Sequence, residues 1–504
     1  MAAAAAEEFS VNANDAIRVS IVQPGPNYQI IKRHEFHPKF TYPVVGEAET
    51  IFGYKGLDIE IQFAAHDMRP RLKIRYEDQF KTIGTTSALD LNKTFGTFLP
   101  PVAFEDGFEA DLQRAAREWT PPGVCVKKYA RDGKDYEVWA GSLLDVPMRT
   151  LVDNIQILIV FFIEGGQFIN LEDVDWTLDR WRIYLVYHKS SEPPTPTACP
   201  YSFVGYATTY RFYKFPKRGP QSENLTPFSF PPSEEITPTK LPSRLRISQF
   251  LITPPYQQHG HGSALYQAIY DEVLADPTIV EMTVEDPSEE FDKLRDLNDF
   301  DRLEPQFRAA DIKINSSPFA SVERSRLKRV PTASLLPLDK LEAIRVKNKI
   351  ASRQFSRMVE MYLLGQIPLS HRAAGGASLT SLKIRGPRAP NADDRNYYWW
   401  RTLLKQRIIK KNKDLLQQVP LEERLPQIED SARAQEDEYE GLLLSYALRR
   451  EKKAERAEQA EEPQANGKSV QAAFRKRKVV ESDEDDDDES PDGTRVAPKK
   501  ARAA

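Results

Sequence analysis

The chain has 504 residues, 40% of them hydrophobic and 29% charged, with 37 Pro against 23 Gly and a formal net charge of −4. At roughly 150 residues per domain this length allows about three domains with buried cores and a cleft between them. It excludes a single small binding module, and the composition excludes a wholly disordered protein.

The small net charge hides a segregation. Residues 1–320 carry 33 basic and 45 acidic side chains, residues 321–420 carry 21 and 7, and residues 421–504 carry 16 and 22. An acidic body joined to a basic block implies a cationic partner for the first and an acidic or self-docking partner for the second. In the basic block the charges alternate with Leu, Ile and Met at helical spacing, which favours a solvated or protein-docking helix face over a nucleic-acid surface. Cys125 and Cys199 are too few for a disulfide framework or a four-cysteine zinc site, so a reducing compartment is expected. The N-terminus, MAAAAAEEFS, lacks the positive flank and apolar centre of a secretory signal, which points to the cytosol or nucleus. The longest apolar run, ILIVFFI at 157–163, is far short of the roughly 20 residues that cross a bilayer.

In chain order, residues 1–15 are Ala-rich and polar and are expected to be disordered. Residues 16–150 form a mixed α+β region in which FGYKGLDIEIQFAA (52–65) reads as a turn followed by a strand. From Asp153 the pattern becomes an antiparallel meander, NIQILIVFFIE, RWRIYLVYHK, SFVGYATTYRFYKF and LRISQFLIT, with ILIVFFI as a buried strand. An amphipathic helix follows, with Leu265, Ala268, Ile269 and Val273 at helical spacing, then the strand IVEMTVED and a second helix. The strand after the first helix is expected to return parallel to the one before it. Residues 190–200 and 216–244 are Pro-rich surface insertions. Residues 311–450 read as a helical C-terminal region, and 451–504 as a disordered charged tail whose run ESDEDDDDE (481–489) cannot pack. The basic clusters RKRK (475–478) and APKKAR near the end have the form that nuclear import receptors read.

The chemistry concentrates in residues 247–272. A strand ends at a Pro-Pro turn, a polar loop with two glycines follows, and a helix starts at once. Such a loop offers free backbone N–H groups and a helix N-terminus to a phosphate or pyrophosphate. Gln257-x-x-Gly260-x-Gly262 fits neither the dinucleotide fingerprint nor a P-loop; its form is Q/R-x-x-G-x-G/A, the pyrophosphate loop of GCN5-related N-acetyltransferases. His259 and His261 read as polar loop residues, and no metal site is expected. The following strand ends in Glu285-Asp286-Pro287. A lysine with a pKa near 10.4 loses its proton at pH 7 at a cost of about 4.6 kcal/mol, so amine acylation needs a base. Glu285 is the candidate, with Asp286 beside it and Glu164 as a further carboxylate.

SQFLITPPYQQHGHGSALYQAIY, TVEDP, LRD at 294–296, FGYKGL at 52–57 and FFIEGGQFIN at 161–170 together resemble the catalytic subunits of type B histone acetyltransferases, over about residues 16–370. The resemblance implies an α+β protein: an N-terminal α+β domain (16–150), a GCN5-related acetyltransferase domain (151–310) and a small helical C-terminal domain. It implies acetyl-CoA as co-substrate, held by the main chain of Phe250, Leu251 and Ile252, by Gln257, Gln258, His259, Gly260, His261, Gly262 and Ser263, and beside Ser288. Glu285 would be the general base, with Glu164 and Asp286 as helpers. Histone contacts would fall on Glu47, Ala48 and Glu49 and on Tyr210, Arg211 and Phe212. The implied substrate is the N-terminal tail of newly made histone H4, free or with histone H3, and the implied partner is a WD-repeat histone-binding subunit of the retinoblastoma-binding type. The resemblance implies direct transfer without a covalent acyl-enzyme. Two alternatives remain at this level: a non-catalytic histone chaperone or scaffold, suggested by the acidic body and tail, and acetylation of small amines.

Overall fold

Val19 and Ile21 on one strand, and Ile59, Ile61 and Phe63 on another, alternate with residues pointing to the opposite face, and all five are buried. In the computed structural model these strands are β1 (Ile17–Pro24) and β3 (Asp58–Ala64), which pair in parallel; β2 (Ile30–Phe36) and β4 (Pro70–Arg75) flank them in the order β2-β1-β3-β4. The structure describes residues 8–461 except 27–28, 115–116, 173–176, 194, 214–241, 321–329 and 374–388. The insertion at 216–244 therefore lies almost wholly outside the described residues, as does the acidic run at 481–489.

The second sheet is the larger. β5 (Val124–Arg131) and β6 (Lys134–Ser142) form a hairpin, helices α1 (Val146–Ile155) and α2 (Ile157–Phe162) follow, and β7 (Trp181–Lys189), β8 (Tyr201–Tyr213) and β9 (Ser243–Ile252) continue the meander. Helix α3 (His261–Ala275) then crosses over to β10 (Ile279–Val284), giving the order β10-β9-β8-β7-β6-β5. Every pair is antiparallel except β9–β10, which is parallel as its crossover helix requires. Leu265, Ala268, Ile269 and Val273 of α3 are all buried against one face of this sheet.

The helical region comprises α4 (Glu289–Ala309), α5 (Leu338–Lys347), α6 (Ser352–Gln366), α7 (Ala392–Lys411) and α8 (Leu421–Glu461). Several arginines of its basic block are paired within the molecule. Arg357 pairs with Asp296, Arg372 with Glu440, Arg401 with Glu436 and Arg407 with Glu360. Among the described residues, no helix is long and apolar enough to cross a membrane.

Four expectations are corrected. ILIVFFI is not a strand: 157–162 is helix α2, and Ile157, Leu158, Ile159, Val160 and Phe161 are buried on every side. An apolar run buried all round carries no period that separates helix from strand. It packs between the two sheets, touching the β1 and β3 side chains and the far face of β7. The meander thus starts with β5–β6, at residue 124 and not after 153, and the boundary expected at 150 falls inside α1. Residues 8–15 are ordered, with Ser10–Asn12 paired to Thr50–Phe52 and Ala13 fully buried. Residues 451–461, assigned to the tail, continue α8.

Candidate active site

β9 alternates buried and half-buried residues up to Gln249, as a strand with one face in the core and the other partly open does. β10 pairs with it only from Ser243 to Ile247, and the N–H of Glu285 to the carbonyl of Ile247, at 2.9 Å, closes the ladder. β9 then runs on to Ile252 with β8 alone on its other side. The sheet is therefore forked, and Phe250, Leu251 and Ile252 lie along one arm. At the fork Ser248 has no counterpart on β8, where Thr208 faces Gln249 and Thr209 faces Ile247. Such a bulge adds twist and re-aims a side chain. Ser248 Oγ donates to Glu285 Oε2 at 2.6 Å, and Arg246 Nη1 stands 3.3 Å from Oε1. The Arg246 guanidinium in turn lies 4.3 Å from the centre of the Phe212 ring.

The loop after β9 is tied back to it. Gln257 Nε2 donates to the carbonyl of Ile252 at 2.9 Å, and Tyr256 Oη meets His34 Nε2 at 3.0 Å. Gly260 caps α3 with φ +85°, a left-handed conformation suited to glycine, and Gln258 is also left-handed. The first N–H groups of a helix have no acceptor within it; those of His261, Gly262 and Ser263 find no acceptor elsewhere among the described residues. A Cβ on Gly260 would stand 3.2 Å from Arg131 Nη2, so a guanidinium lies directly over the loop, and its Nε is buried without a partner. A Cβ on Gly262 would meet Leu294 of α4 at 2.7 Å and Phe250 at 3.6 Å. Free amides, a cation and close backbone access suit a diphosphate. His261 is buried, its Nδ1 2.9 Å from Tyr129 Oη, and burial first, then His259 and Arg131, hold it down to about 4. It is a neutral wall of the loop.

The loop and the fork share one side of the sheet. Phe250 on the β9 arm stacks edge-on against Phe291, one turn into α4, with centroids 4.9 Å apart. α4 begins directly after Glu285-Asp286-Pro287, with Ser288 as its cap accepting from Phe291 N–H at 3.3 Å. Asp286 is exposed in a left-handed turn with φ +28°.

Glu164 is exposed in the turn after α2, not at a strand end. The same stretch reaches β9, since Gln249 Nε2 donates to the carbonyl of Gln167 at 3.0 Å, and it reaches the Tyr42 hydroxyl, which accepts from Gly165 N–H at 3.2 Å. Tyr42 opens the turn that leads to Glu47, Ala48 and Glu49. Glu47 and Ala48 are exposed. Glu49 is committed internally: its carboxylate accepts from the N–H groups of Thr41 at 2.8 Å and Tyr42 at 3.2 Å and from Asn14 at 2.9 Å, and the Thr41 bond foremost lowers its pKa. Tyr210 and Phe212 share one face of β8, their rings 4.8 Å apart. Strand alternation turns Arg211 the other way, onto Asp276 and Thr278, so it does not join the aromatic face.

Sequence reasoning missed Arg131, Arg246 and Ser248. The parallel return of β10 was expected, and it places Ile247 beside Val284, so residues 246 and 248 were within reach of that argument. Arg131 had no local signal, being brought in by the β5–β6 hairpin from 129 residues upstream of Gly260.

Comparison with known proteins bears on the whole arrangement. A family model described as "Histone acetyl transferase HAT1 N-terminus" matches residues 9–164, and one described as "Fungal HAT1, C-terminal" matches residues 319–367. A histone acetyltransferase type B catalytic subunit of Aspergillus oryzae is 45% identical over 463 residues, covering 91% of this chain and 90% of its own. The protein of that name from Aspergillus fumigatus is 46% identical over 450 residues, covering 88% and 78%. The one from Schizosaccharomyces pombe is 29% identical over 440 residues, covering 87% and 94%.

Proposed function

The chain belongs to the type B histone acetyltransferase catalytic subunits and is a histone acetyltransferase using acetyl-CoA; on that premise we propose that it acetylates lysines in the N-terminal tail of newly made histone H4, with Glu285 as general base. The observation that carries the base is the fork. Glu285 donates the last β9–β10 hydrogen bond, at the point where the strands part, and its carboxylate is fixed by Ser248. The residues present fit the co-substrate: the amides of His261–Ser263 and Arg131 would hold its diphosphate, and the unpaired arm of β9 would hold its pantetheine. Bound there, acetyl-CoA supplies an activated thioester. Glu285 takes the lysine proton, directly or through water; the neutral amine then forms a C–N bond at the thioester carbonyl as the C–S bond breaks, releasing coenzyme A as a thiolate that takes up the second proton shed by the nitrogen.

A covalent route through cysteine has little support. Burial pushes the Cys199 thiol up to about 11 and raises that of Cys125, so neither is a ready thiolate. For the acceptor, the aromatic face of Tyr210 and Phe212, and exposed Glu47, support a basic peptide; Arg211 and Glu49 act in holding the walls. The acidic body supports a Lys-rich tail, and we propose in addition a WD-repeat histone-binding partner and a life divided between cytoplasm and nucleus. Glu285→Gln tests the base. Turnover of an H4 tail peptide should fall by about 10²–10⁴ with the circular dichroism spectrum unchanged, and wild-type turnover would remove Glu285 from the mechanism. Mass spectrometry of H3 and H4 after incubation tests the substrate: modification confined to H3 would overturn the H4 assignment.

A further inference from the structure

Beside the diphosphate loop lies a cavity of about 260 Å³, between β2 of the N-terminal sheet, the β6–β7 end of the central sheet and the segment 255–261. Its cations are unbalanced. Arg33 and Lys134 line it, and neither has a carboxylate partner among the described residues; Asp132 is the single carboxylate in the lining. Arg33 is also held in place. Its Nε donates to Gln23 Oε1 at 2.5 Å, and the Gln23 amide donates to Ser202 Oγ at 2.5 Å, both residues being buried. This relay fixes the stem of the guanidinium and leaves its two terminal nitrogens for the cavity.

Imidazoles complete the wall. His34 uses Nε2 on Tyr256, whereas the His188 ring has no hydrogen-bond partner among the described residues and lies tilted at 45° against Tyr136 with centroids 5.2 Å apart. Both are depressed below the ordinary histidine range, first by burial and then by Arg33 and Lys134. Two cations in the lining repel a metal ion from such imidazoles, whereas an anion would be met by guanidinium, ammonium and ring N–H donors together.

We propose that this cavity, bounded on its diphosphate-loop side by His259 and His261, is a binding site for a phosphate monoester. The dianion takes Arg33 and Lys134 as its charge partners and His188 as a further donor. Two sources share that chemistry: the 3′-phosphate of acetyl-CoA seated on the neighbouring loop, or a separate phosphate. Only the first rests on the assignment of acetyl-CoA to that loop.

The test compares wild type with the Arg33→Gln, Lys134→Gln double variant. Both positions are exposed, and a thermal melt checks that the fold is retained. Calorimetry with acetyl-CoA and with acetyl-3′-dephospho-CoA is run at matched ionic strength, followed by melting with and without millimolar inorganic phosphate in the presence of saturating acetyl-CoA. If the cavity takes the 3′-phosphate, the variant weakens acetyl-CoA by about tenfold or more and leaves the dephospho compound unchanged. If it takes a separate phosphate, both nucleotides bind the variant normally and inorganic phosphate raises the melting temperature of wild type alone. Equal nucleotide binding by the two proteins, together with no wild-type-specific phosphate shift, overturns the proposal. Failure of acetyl-CoA to bind wild type at all would instead remove the loop assignment and leave the phosphate melt to judge the cavity.

Discussion

Arg131→Gln separates charge from shape at the diphosphate loop. The Arg131 Nη2 and Cζ atoms lie 3.2 and 3.3 Å from where a Cβ on Gly260 would sit. An anion on the amides of His261–Ser263 therefore stands within about 4–6 Å of that charge. One unit-charge pair at such a distance is worth about 3–4 kcal/mol at an effective dielectric near 20, and ionic screening reduces this to about 1–2 kcal/mol at physiological salt. The dissociation constant for acetyl-CoA should rise about 5- to 30-fold, and it should depend less steeply on salt than in wild type. Gly260→Ala is the shape control. Alanine at φ +85° costs about 1–2 kcal/mol of stability and displaces the guanidinium slightly without removing it, so its salt dependence should match wild type. Titration calorimetry at two salt concentrations reads both. An Arg131→Gln protein that binds acetyl-CoA within about twofold of wild type at low salt would refute the reasoning.

Ser248→Ala should lower kcat about three- to tenfold with KM for acetyl-CoA unchanged, because one hydrogen bond to a half-exposed carboxylate is lost; steady-state kinetics checks this, and an effect on KM alone would contradict it. Arg211→Gln should lower the melting temperature while leaving KM for an H4 peptide unaltered, whereas Tyr210→Ala and Phe212→Ala should raise that KM. Asp299 is buried between Tyr266, which donates to it at 2.8 Å, and Gln354, at 3.0 Å, and burial pushes its pKa up from 3.8 to about 6. The folded state then binds the proton more tightly than the unfolded one, so this contribution is full below about pH 4 and lost as pH rises through 6. Between pH 5 and 7.5 wild type should lose about 1.4 kcal/mol relative to Asp299→Asn, read by urea unfolding; a difference that does not change with pH would refute it.

What was legible in the sequence is what local order encodes. The strand, loop and helix around Gly260 could be read because a Pro-Pro turn, two glycines and a four-residue apolar stripe lie within 27 residues. The parallel return of β10 followed from the handedness of its crossover. Helix α2 was misread because burial on all sides removes the polar face that gives a helix its period. The signal lay one turn upstream: Met148, Leu151, Val152 and Ile155 are spaced as a helix and all buried, and Pro147 sits in the first turn, where proline is tolerated. Residue types alone could not tell a free carboxylate from a committed one. Glu47 and Glu49 look alike in the string EAE, yet only Glu49 folds back onto Thr41 and Tyr42. Nor could they show which side of β8 Arg211 takes, which depends on a register set by β7 and β9.

Arg246 ties the base to the acceptor face. It touches Glu285 at one end and lies on Phe212 at the other, so a lysine reaching Glu285 from the Tyr210–Phe212 side would come up against this guanidinium. A like charge at that range disfavours the ammonium form of the incoming amine. Proton loss would then be promoted from two sides: Glu285 accepts the proton, and Arg246 makes holding it less favourable. The stack on Phe212 keeps the guanidinium beside the carboxylate and not across its mouth. Phe212→Ala should therefore lower kcat as well as raise the peptide KM, by freeing Arg246 to close over Glu285, and Arg246→Met in the Phe212→Ala background should restore part of that kcat. Steady-state kinetics of the two proteins decides it: no recovery in the double variant would leave Phe212 as a peptide contact and nothing more.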